Sequence, residues 1–478
     1  MVAKNLLIIM SDEHCRDVLG CYGHQLVKTP HLDALATRGV RFGNVYTPSP
    51  ICVPTRASIA TGRYIHEIGN WDSASPYDGT VASWGHRARD GGARAVSIGK
   101  LHFRSSDDDN GFDEEILPMH VVGGIGWPQG LVRQPMPDYR DHAAELAGDV
   151  GRGESSYTTY DRQICARACS WLNEAGRCAD DSAPWTLFVS FVAPHYPLKA
   201  PEEFYDLYRL EDIDAPRHRE GHMNHPVIAA MRQFWCYDDF FDDAKLRQGR
   251  LAYYGLVSLL DHHVGRLLAA LEQTGLADDT TVIYTSDHGE LLGNHGFWTK
   301  SLMYEESAAV PLIMAGPGVA KGEVCGAPAS LIDLYPTVLE AMGVETTNDD
   351  PQHGRPLTGT VVAPDADRTI LSEYHDGGSP TGFMMVRWAD WKYVHYVGAP
   401  PQLFDLANDP TELDDLGLST GHEGVRREGE ERLRALLDPD VVNARALADQ
   451  QAKIAALGGI EKLDALFSFN HTPTPREA

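Results

Sequence analysis

The residues with the clearest chemical potential lie in the segment CVPTR at positions 52–56. Pro54 favours the first turn of a helix, and residues 57–60 continue a helix well. Cys52 is therefore expected at a helix N-terminus, where free N–H groups and the helix dipole favour an anion. Arg56 falls on the same helix face and adds a fixed positive charge. Spacing alone leaves two interpretations: a nucleophile beside an anion site, or a buried thiol next to a helix.

Further polar side chains follow four short apolar runs, at residues 5–10, 95–98, 185–192 and 280–285. Continuous apolar runs rich in β-branched residues predict strands that are buried on both faces, as in a parallel sheet covered by helices. Ligands of such sheets gather at the carboxyl ends of the strands. We therefore expect these strands to deliver Asp, Glu, Lys and His side chains to one rim.

The elements that position these residues indicate an α/β fold with a large, mixed and mostly parallel sheet between helices. Helical spacing is found at 31–38 and 251–271, between the strand-like runs. A Pro-, Asp- and Gly-containing stretch at 346–368 is typical of a surface connection. Beyond it, a smaller α+β subdomain is expected. It has strand-like pieces at 369–374, 382–388 and 391–397, a turn-rich stretch at 404–410, and a charged helix at 423–437. The predicted domains are residues 1–365, 366–466, and a tail at 467–478.

Composition limits the classes of function. The 478 residues include 41 basic and 68 acidic side chains, for a net charge of −27, so nucleic-acid and anionic-membrane surfaces are not expected as partners. No apolar run approaches the roughly 20 residues needed to span a bilayer. We see no export signal, and the eight cysteines form no CxxC pair, so a cytoplasmic location with reduced thiols is expected. An anionic substrate would need a locally basic pocket.

The CVPTR segment, followed by TGR at 61–63, resembles the signature of the sulfatase family within the alkaline phosphatase superfamily. The resemblance extends over nearly the whole chain, through PHLD at 30–33, SDHGE at 286–290, WKY at 391–393 and LFDL at 403–406. It implies that a dedicated generating enzyme oxidises Cys52 to formylglycine. The hydrate of that aldehyde would attack the sulfur of a sulfate ester, releasing an alcohol and then inorganic sulfate.

The resemblance also implies one divalent cation, held by residue 52 together with Asp12, Asp287 and His288. Two carboxylates favour a hard cation such as Ca²⁺, while the imidazole of His288, where many relatives have Asn, favours Mn²⁺. Glu13 stands where many relatives have a second Asp. Whether it reaches the ion is left open.

Four further residues match family positions around the sulfate group. Lys100 would bind sulfate oxygens, and His102 would orient residue 52 or act as a base. His195 and Lys300 would hold sulfate and protonate the leaving oxygen, a contribution typical of general acids. With Arg56 they would form the basic pocket that the acidic chain otherwise lacks. By contrast, the DHH motif at 261–263 and His295 are interpreted as structural.

Within the family, the segments at 100–103, 126–127 and 372–374 resemble the choline sulfatase branch. Trp127 and Glu373 fall where that branch holds a quaternary ammonium, through cation–π and Coulomb attraction. Ser73 replaces an Asn of that branch, so the expected substrate is a small sulfate ester, alkyl or aryl. Homo-oligomers formed through the C-terminal tail are the assembly that this branch suggests.

Two other functions stay open from the sequence. A phosphonate monoester or phosphodiester hydrolase of the same superfamily would share the nucleophile and the metal. A scaffold without catalysis would be expected to lack one of Asp12, Cys52, Arg56, Asp287 or Lys300, and all five are present.

Overall fold

A computed structural model describes residues 3–136, 139–177, 183–217, 225–466 and 471–475. The strands are β1 (Asn5–Asp12), β2 (Val40–Phe42), β3 (Val45–Tyr46), β4 (Arg94–Lys100), β5 (Glu114–Met119), β6 (Gly151–Arg152), β7 (Trp185–Pro194), β8 (Lys199–Ala200), β9 (Thr280–Ser286), β10 (Leu312–Ala315), β11 (Glu323–Cys325), β12 (Ala329–Ser330), β13 (Ile370–Tyr374), β14 (Phe383–Trp388), β15 (Trp391–Tyr396) and β16 (Gln402–Asp405). The helices are α1 (Pro30–Thr37), α2 (Cys52–Thr61), α3 (Ile65–Ile68), α4 (Trp84–Asp90), α5 (Arg140–Gly148), α6 (Ser156–Arg177), α7 (Glu202–Tyr205), α8 (Pro226–Trp235), α9 (Asp243–Gln273), α10 (Glu305–Ala308), α11 (Leu334–Ala341), α12 (Leu357–Val362), α13 (Glu423–Leu436), α14 (Pro439–Ala456) and α15 (Ile460–Leu466).

The large sheet has eight strands in the order β11-β2-β10-β9-β1-β7-β4-β5. The four strands predicted from the apolar runs are its central members, β1, β4, β7 and β9, and neighbouring pairs among them are parallel. Strand β10 runs antiparallel to both of its neighbours. The sheet is therefore mixed and mostly parallel, as predicted.

Both faces of the large sheet are buried. Leu7 and Ile9 of β1 pack on one side in a hydrophobic cluster with residues of α1, α6 and α9. Leu6 and Ile8 point to the other side, into a cluster with residues of α2, α4 and α11. Because side chains alternate along a strand, an unbroken apolar run is what a sheet covered on both faces requires.

The second sheet is antiparallel, in the order β13-β14-β15-β16, and α13 packs on it. Its strands lie within the range predicted for the smaller subdomain. Residues 402–405 form the edge strand β16 and pair with β15, so the sequence prediction of turns near 404–410 missed this strand. Helix α12 lies inside the stretch interpreted as a surface connection at 346–368.

Buried ion pairs join the second sheet to the large one. Lys392 of β15 has its Nζ 2.7 Å from Glu305 Oε1 and 2.7 Å from Glu412 Oε1, and Arg16 Nη1 lies 2.8 Å from Glu305 Oε2. Lys392 and Glu412 are fully buried. Each charge therefore depends on its partners for solvation.

The C-terminal region contains α14 and α15, which the sequence analysis did not predict. Of the predicted tail, 471–475 are described, and 467–470 and 476–478 lie outside the described residues. The Tyr157 hydroxyl of α6 donates a hydrogen bond of 2.7 Å to the Thr472 carbonyl, so these residues pack on α6. No helix among the described ranges is long and apolar enough to cross a bilayer.

Candidate active site

The carboxyl ends of the central strands bring their polar residues to one rim of the sheet. Asp12 ends β1, Lys100 ends β4, and Asp287 follows β9 directly. His195 follows β7, whose last residues are held by Asp161. The carboxylate of Asp161 accepts hydrogen bonds from the N–H groups of Val192 (2.8 Å) and Ala193 (2.7 Å). The convergence predicted from the strand ends is present.

Asp12, Asp287 and His288 form a buried group with the geometry of a cation site. Their candidate ligand atoms lie within 4.8 Å of one another. Asp12 Oδ1 and His288 Nε2 are buried without a hydrogen-bond partner. His288 Nδ1 lies 3.1 Å from the Gly289 carbonyl, to which it donates, so Nε2 is the unprotonated nitrogen that a metal needs. The residues present therefore fit a divalent cation.

Cys52 lies at the first position of α2, as predicted, and it groups with Asp12 and His195 as a second set of candidate ligands. Burial raises the pKa of the Cys52 thiol to about 11, although Lys100 and Lys300 act in the opposite direction. At neutral pH the side chain is therefore a protonated thiol. The effect of burial outweighs that of the two lysines, so Cys52 as encoded is a poor nucleophile.

Arg56 lies beneath the site rather than in the pocket. Its Nε donates to Asp287 Oδ2 at 2.8 Å and its Nη2 to Asp12 Oδ2 at 2.9 Å. Nη1 donates to the Lys100 carbonyl at 2.8 Å and to Ser190 Oγ at 3.0 Å. The contribution of Arg56 to the substrate pocket stays a prediction: in this structure its guanidinium orients the two carboxylates, and Arg56 is not among the residues that line the pocket.

Lys300 and His195 form a hydrogen-bonded pair in the pocket. His195 Nδ1 donates to the Tyr196 carbonyl at 2.6 Å, so Nε2 accepts from Lys300 Nζ at 2.8 Å. Burial, with Lys300 and Lys100 nearby, lowers the pKa of His195 and keeps the imidazole neutral. Burial is the largest single effect and opposes the charge on Lys300, but Glu13 and the other acidic groups around it together outweigh burial and raise the pKa of Lys300. The proton available in this pair is therefore on Lys300.

Glu13 pairs with Lys300 instead of the candidate cation site. Its Oε2 lies 2.8 Å from Lys300 Nζ, and Glu13 is absent from the candidate metal groups found among the described residues. Lys100 is fully buried, with Nζ 2.7 Å from Asp12 Oδ2. Neither ring nitrogen of the buried His102 has a hydrogen-bond partner, and burial followed by Lys100 lowers the pKa of His102. This neutral imidazole lines the pocket beside Cys52.

The pocket that opens onto Cys52, His195 and Lys300 encloses a cavity of about 90 Å³. Ser73 and Trp127, both predicted to contact substrate, line it. The Trp127 N–H donates to the Ser73 carbonyl at 3.1 Å, which ties the two residues into one wall.

Glu373 does not belong to this wall. It is fully buried, with His66 Nδ1 2.8 Å from Oε1 and His375 Nε2 3.3 Å from Oε2. Against the effect of burial, these histidines lower the pKa of Glu373 to about 2. Its role as a substrate ligand stays a prediction: in this structure the carboxylate is bonded to two imidazoles, and Glu373 is not among the residues that line the pocket.

Sequence reasoning missed an aromatic lining of the pocket. Its members are Tyr139, Tyr157, Tyr196, Trp235 and Tyr237, together with His471 from the predicted tail. Adjacency to His195 could have pointed to Tyr196, and the aromatic run at 234–237 to Trp235 and Tyr237. No comparable sequence signal precedes Tyr139 or Tyr157.

The DHH motif at 261–263 and His295, both interpreted as structural, make packing and helix-start contacts outside the candidate cation site. The Asp261 carboxylate accepts N–H bonds from His31 and Leu32 at the start of α1, and the His263 ring stacks on Phe191 with centroids 5.6 Å apart. His295 stacks on Tyr304, with centroids 3.8 Å apart.

A buried carboxylate pair with an imidazole at the rim of an α/β sheet, beside a basic anion pocket, defines a hydrolase site of the alkaline phosphatase-like kind. The model of the family described as sulfatase matches residues 4–344, and that of the N-sulphoglucosamine sulphohydrolase C-terminal region matches 293–438. The chain therefore belongs to the sulfatase family and is a sulfuric ester hydrolase.

Individual relatives agree with this assignment. The chain is 33% identical to the choline-sulfatase of Rhizobium meliloti (strain 1021), over 86% of this chain and 82% of that protein. It is 30% identical to human arylsulfatase K, over 87% and 79% of the two chains. Among solved structures it resembles the phosphonate monoester hydrolase of Agrobacterium radiobacter, with 26% identity and a TM-score of 0.74 over 90% and 95% of the chains.

Proposed function

We propose that this sulfatase cleaves small sulfate esters with formylglycine at position 52 and one divalent cation held by Asp12, Asp287, His288 and residue 52. The observation that carries the proposal is the position of Cys52 against the candidate cation site. Its Sγ and the candidate ligand atoms of Asp12 and His195 lie within 4.8 Å of one another, and Asp12 Oδ1 is buried without a hydrogen-bond partner. The raised pKa of the Cys52 thiol agrees with this proposal, because a protonated thiol is a weak nucleophile.

The divalent cation and the formylglycine at position 52 would supply two kinds of chemistry. A divalent cation would polarise a sulfuryl oxygen and lower the pKa of a bound hydroxyl. Conversion of the thiol to an aldehyde is a two-electron oxidation that expels the sulfur as sulfide, so it requires a separate generating enzyme and an oxidant such as molecular oxygen. Two carboxylates favour Ca²⁺ and the His288 imidazole favours Mn²⁺.

The protein's own residues account for anion binding and for the proton. Lysine has three N–H donors, and two of those on Lys300 serve Glu13 and His195 among the described residues. The third can donate to the leaving oxygen, and Lys300 recovers its proton from water after the alcohol departs. His195 acts by holding Lys300 in place, and neutral His102 is placed to accept a proton beside residue 52. Lys100 secures Asp12.

The pocket lining supports a small leaving group with an apolar or cationic surface. Trp127 stacks on Trp235 with ring centroids 6.3 Å apart, and Tyr139 meets Trp235 edge-on at 4.6 Å. Aromatic faces attract alkylammonium groups as well as aryl rings. These aromatic faces line the pocket, so we expect them to contribute to any recognition of a cationic alcohol. Free thiols at the described cysteines support a reducing, cytoplasmic location.

Peptide mass spectrometry of the segment around position 52, in protein from its natural host, tests the nucleophile. Conversion of thiol to aldehyde lowers the mass by about 18 Da, and hydration restores it. A wholly unmodified thiol in active protein would refute the proposal. Metal analysis of the same sample should find one equivalent of Ca²⁺ or Mn²⁺, which is lost in Asp287→Asn.

A phosphonate monoester or phosphodiester hydrolase is the second candidate, because of the similarity to the Agrobacterium radiobacter enzyme. Sulfuryl and phosphoryl groups have similar shapes, so one site can accept both. Turnover of an aryl sulfate, an aryl phosphonate monoester and a phosphodiester should be compared on one preparation. The sulfate should be preferred, and a preference of orders of magnitude for a phosphorus ester would favour this second function.

A further inference from the structure

The residues His471 and Thr472 line the same pocket as Cys52 and Lys300. They belong to residues 471–475, here called the C-terminal segment. Sequence analysis interpreted this region only as a tail with a role in assembly. In the structure the segment instead contributes a wall to the active-site pocket of its own chain.

Tyr157 anchors the C-terminal segment. Its hydroxyl donates to the Thr472 carbonyl at 2.7 Å, and its ring meets the His471 imidazole edge-on, with centroids 5.0 Å apart. On its other side the same ring meets His195 at 5.9 Å. Tyr157 is itself buried, with 3% of its surface exposed. One fixed side chain therefore links the C-terminal segment to the Lys300–His195 pair.

His471 can form specific contacts in this position. Burial lowers the pKa of its imidazole, although Glu145 and Asp149 act in the opposite direction. A neutral imidazole offers one N–H donor and one acceptor. The pocket wall around it includes Tyr139, His142 and Leu146, so a polar contact from His471 would be made in a largely apolar surrounding.

We propose that the C-terminal segment limits the leaving group to small alcohols, and that His471 contacts that group by a hydrogen bond. The inference rests on the proposed hydrolysis of small sulfate esters and deepens it by naming what restricts substrate size. Because His471 and Thr472 form part of the wall beside Cys52, a leaving group too large for this pocket would have to displace the segment. Tyr157 is a positioning residue, since it acts by holding the segment.

The test compares two aryl sulfates with acidic leaving phenols, 4-nitrophenyl sulfate with one ring and 4-methylumbelliferyl sulfate with two fused rings. In His471→Ala, kcat/KM for the smaller ester should fall about fivefold to tenfold, mainly through KM, as expected for loss of one hydrogen bond. The larger ester should lose nothing or gain. Tyr157→Phe should shift the kcat/KM ratio of the two esters in the same direction. The double variant should differ little from His471→Ala alone, because both substitutions act on the same segment.

The structure offers matched controls. Tyr160→Phe removes another α6 hydroxyl that donates to a backbone carbonyl, that of Leu117, and should leave the ratio unchanged. His262→Ala removes an exposed imidazole on α9 and should do the same. Inhibition by inorganic sulfate should persist in His471→Ala, since the proposed function places sulfate at the Lys300 end of the pocket. If His471→Ala does not fold, His471→Gln keeps the volume and one donor and should retain the wild-type ratio.

The outcomes distinguish a failure of the role given to the C-terminal segment from a failure of the proposed sulfate ester hydrolysis. Suppose that the wild-type protein is active, but His471→Ala and Tyr157→Phe leave the kcat/KM ratio of the two esters unchanged, or lower both kcat/KM values equally. The C-terminal segment then does not select substrates. If His471→Gln folds but gives the same kcat/KM ratio as His471→Ala, the hydrogen bond from His471 is refuted. If the mature wild-type protein hydrolyses neither ester and does not bind inorganic sulfate, the proposed function itself fails.

Discussion

Replacing Arg56 by methionine tests whether this residue substitutes for part of the charge that a metal would provide. Its guanidinium is 3% exposed and bridges Asp12 and Asp287, both fully buried. Removing one partner of a buried ion pair costs about 3–5 kcal/mol, because the remaining charge is left without compensation. Asp12 keeps Lys100 as a partner, so Asp287 is the carboxylate that loses its cation. The free energy of unfolding of Arg56→Met without metal should fall by about that amount.

Adding metal should restore much of the free energy of unfolding that Arg56→Met loses. A divalent cation at 100 times its Kd stabilises the folded state by about 2.7 kcal/mol, and in Arg56→Met it also neutralises the two buried carboxylate charges that have lost the guanidinium. The stabilisation on adding Ca²⁺ or Mn²⁺ should therefore be larger in Arg56→Met than in the wild type. Urea unfolding with chelator and with excess metal measures both values.

Arg368→Met is the matched control. Arg368 is also buried, and its Nη1 and Nη2 each lie 2.7 Å from an oxygen of Asp333, away from the candidate cation site. It should destabilise the protein to a similar extent, and metal should restore nothing beyond the gain seen in the wild type. If metal stabilises both variants equally, Arg56 has only a structural role and the reasoning about shared charge is wrong.

Three further predictions concern single side chains. Lys300→Ala should lower turnover of unactivated alkyl sulfates by about 10²–10⁴, and that of 4-nitrophenyl sulfate far less; equal losses would exclude Lys300 as the proton donor. Cys52→Ala should abolish turnover while changing the free energy of unfolding by about 1 kcal/mol, and residual turnover would show a different nucleophile. Burial lowers the pKa of His263 to about 3, so below its ordinary value of 6.5 the unfolded chain binds the proton and the folded chain does not. The free energy of unfolding should therefore decrease as the pH is lowered below 6.5, by about 2 kcal/mol at pH 5. His263→Phe should reduce that slope in urea titrations, and an unchanged slope would contradict the assignment.

The positions of Asp12, Lys100, His195 and Asp287 could be predicted because each follows a run of apolar residues. A strand buried on both faces is visible locally in the sequence, and the geometry of a parallel sheet then places its carboxyl end. Cys52 at a helix start followed from local signals as well. These features need no knowledge of distant contacts.

Other parts of the site depend on contacts between residues far apart in the chain. Glu373 resembled a ligand of a cationic substrate, but His66, more than 300 positions earlier, occupies its carboxylate. Arg56 carried the expected positive charge, yet its direction is set by Asp287 of another strand end. The sequence near His471 contains no periodic pattern that indicates a partner. Short β10, with four residues, gives too little alternation to reveal that it runs antiparallel.

The ion pairs of Lys392 have a consequence for how the molecule comes apart. Detaching the second sheet would break the pair between Lys392 and Glu305. Lys392 would keep Glu412, and Glu305 would keep Arg16, but these buried charges would have to be rehydrated. The region from β13 to β16 is thus bound to α10 by electrostatics as well as by packing. Denaturation is expected to be a single cooperative event, and a gene fragment ending near residue 365 should yield insoluble protein instead of a smaller working enzyme.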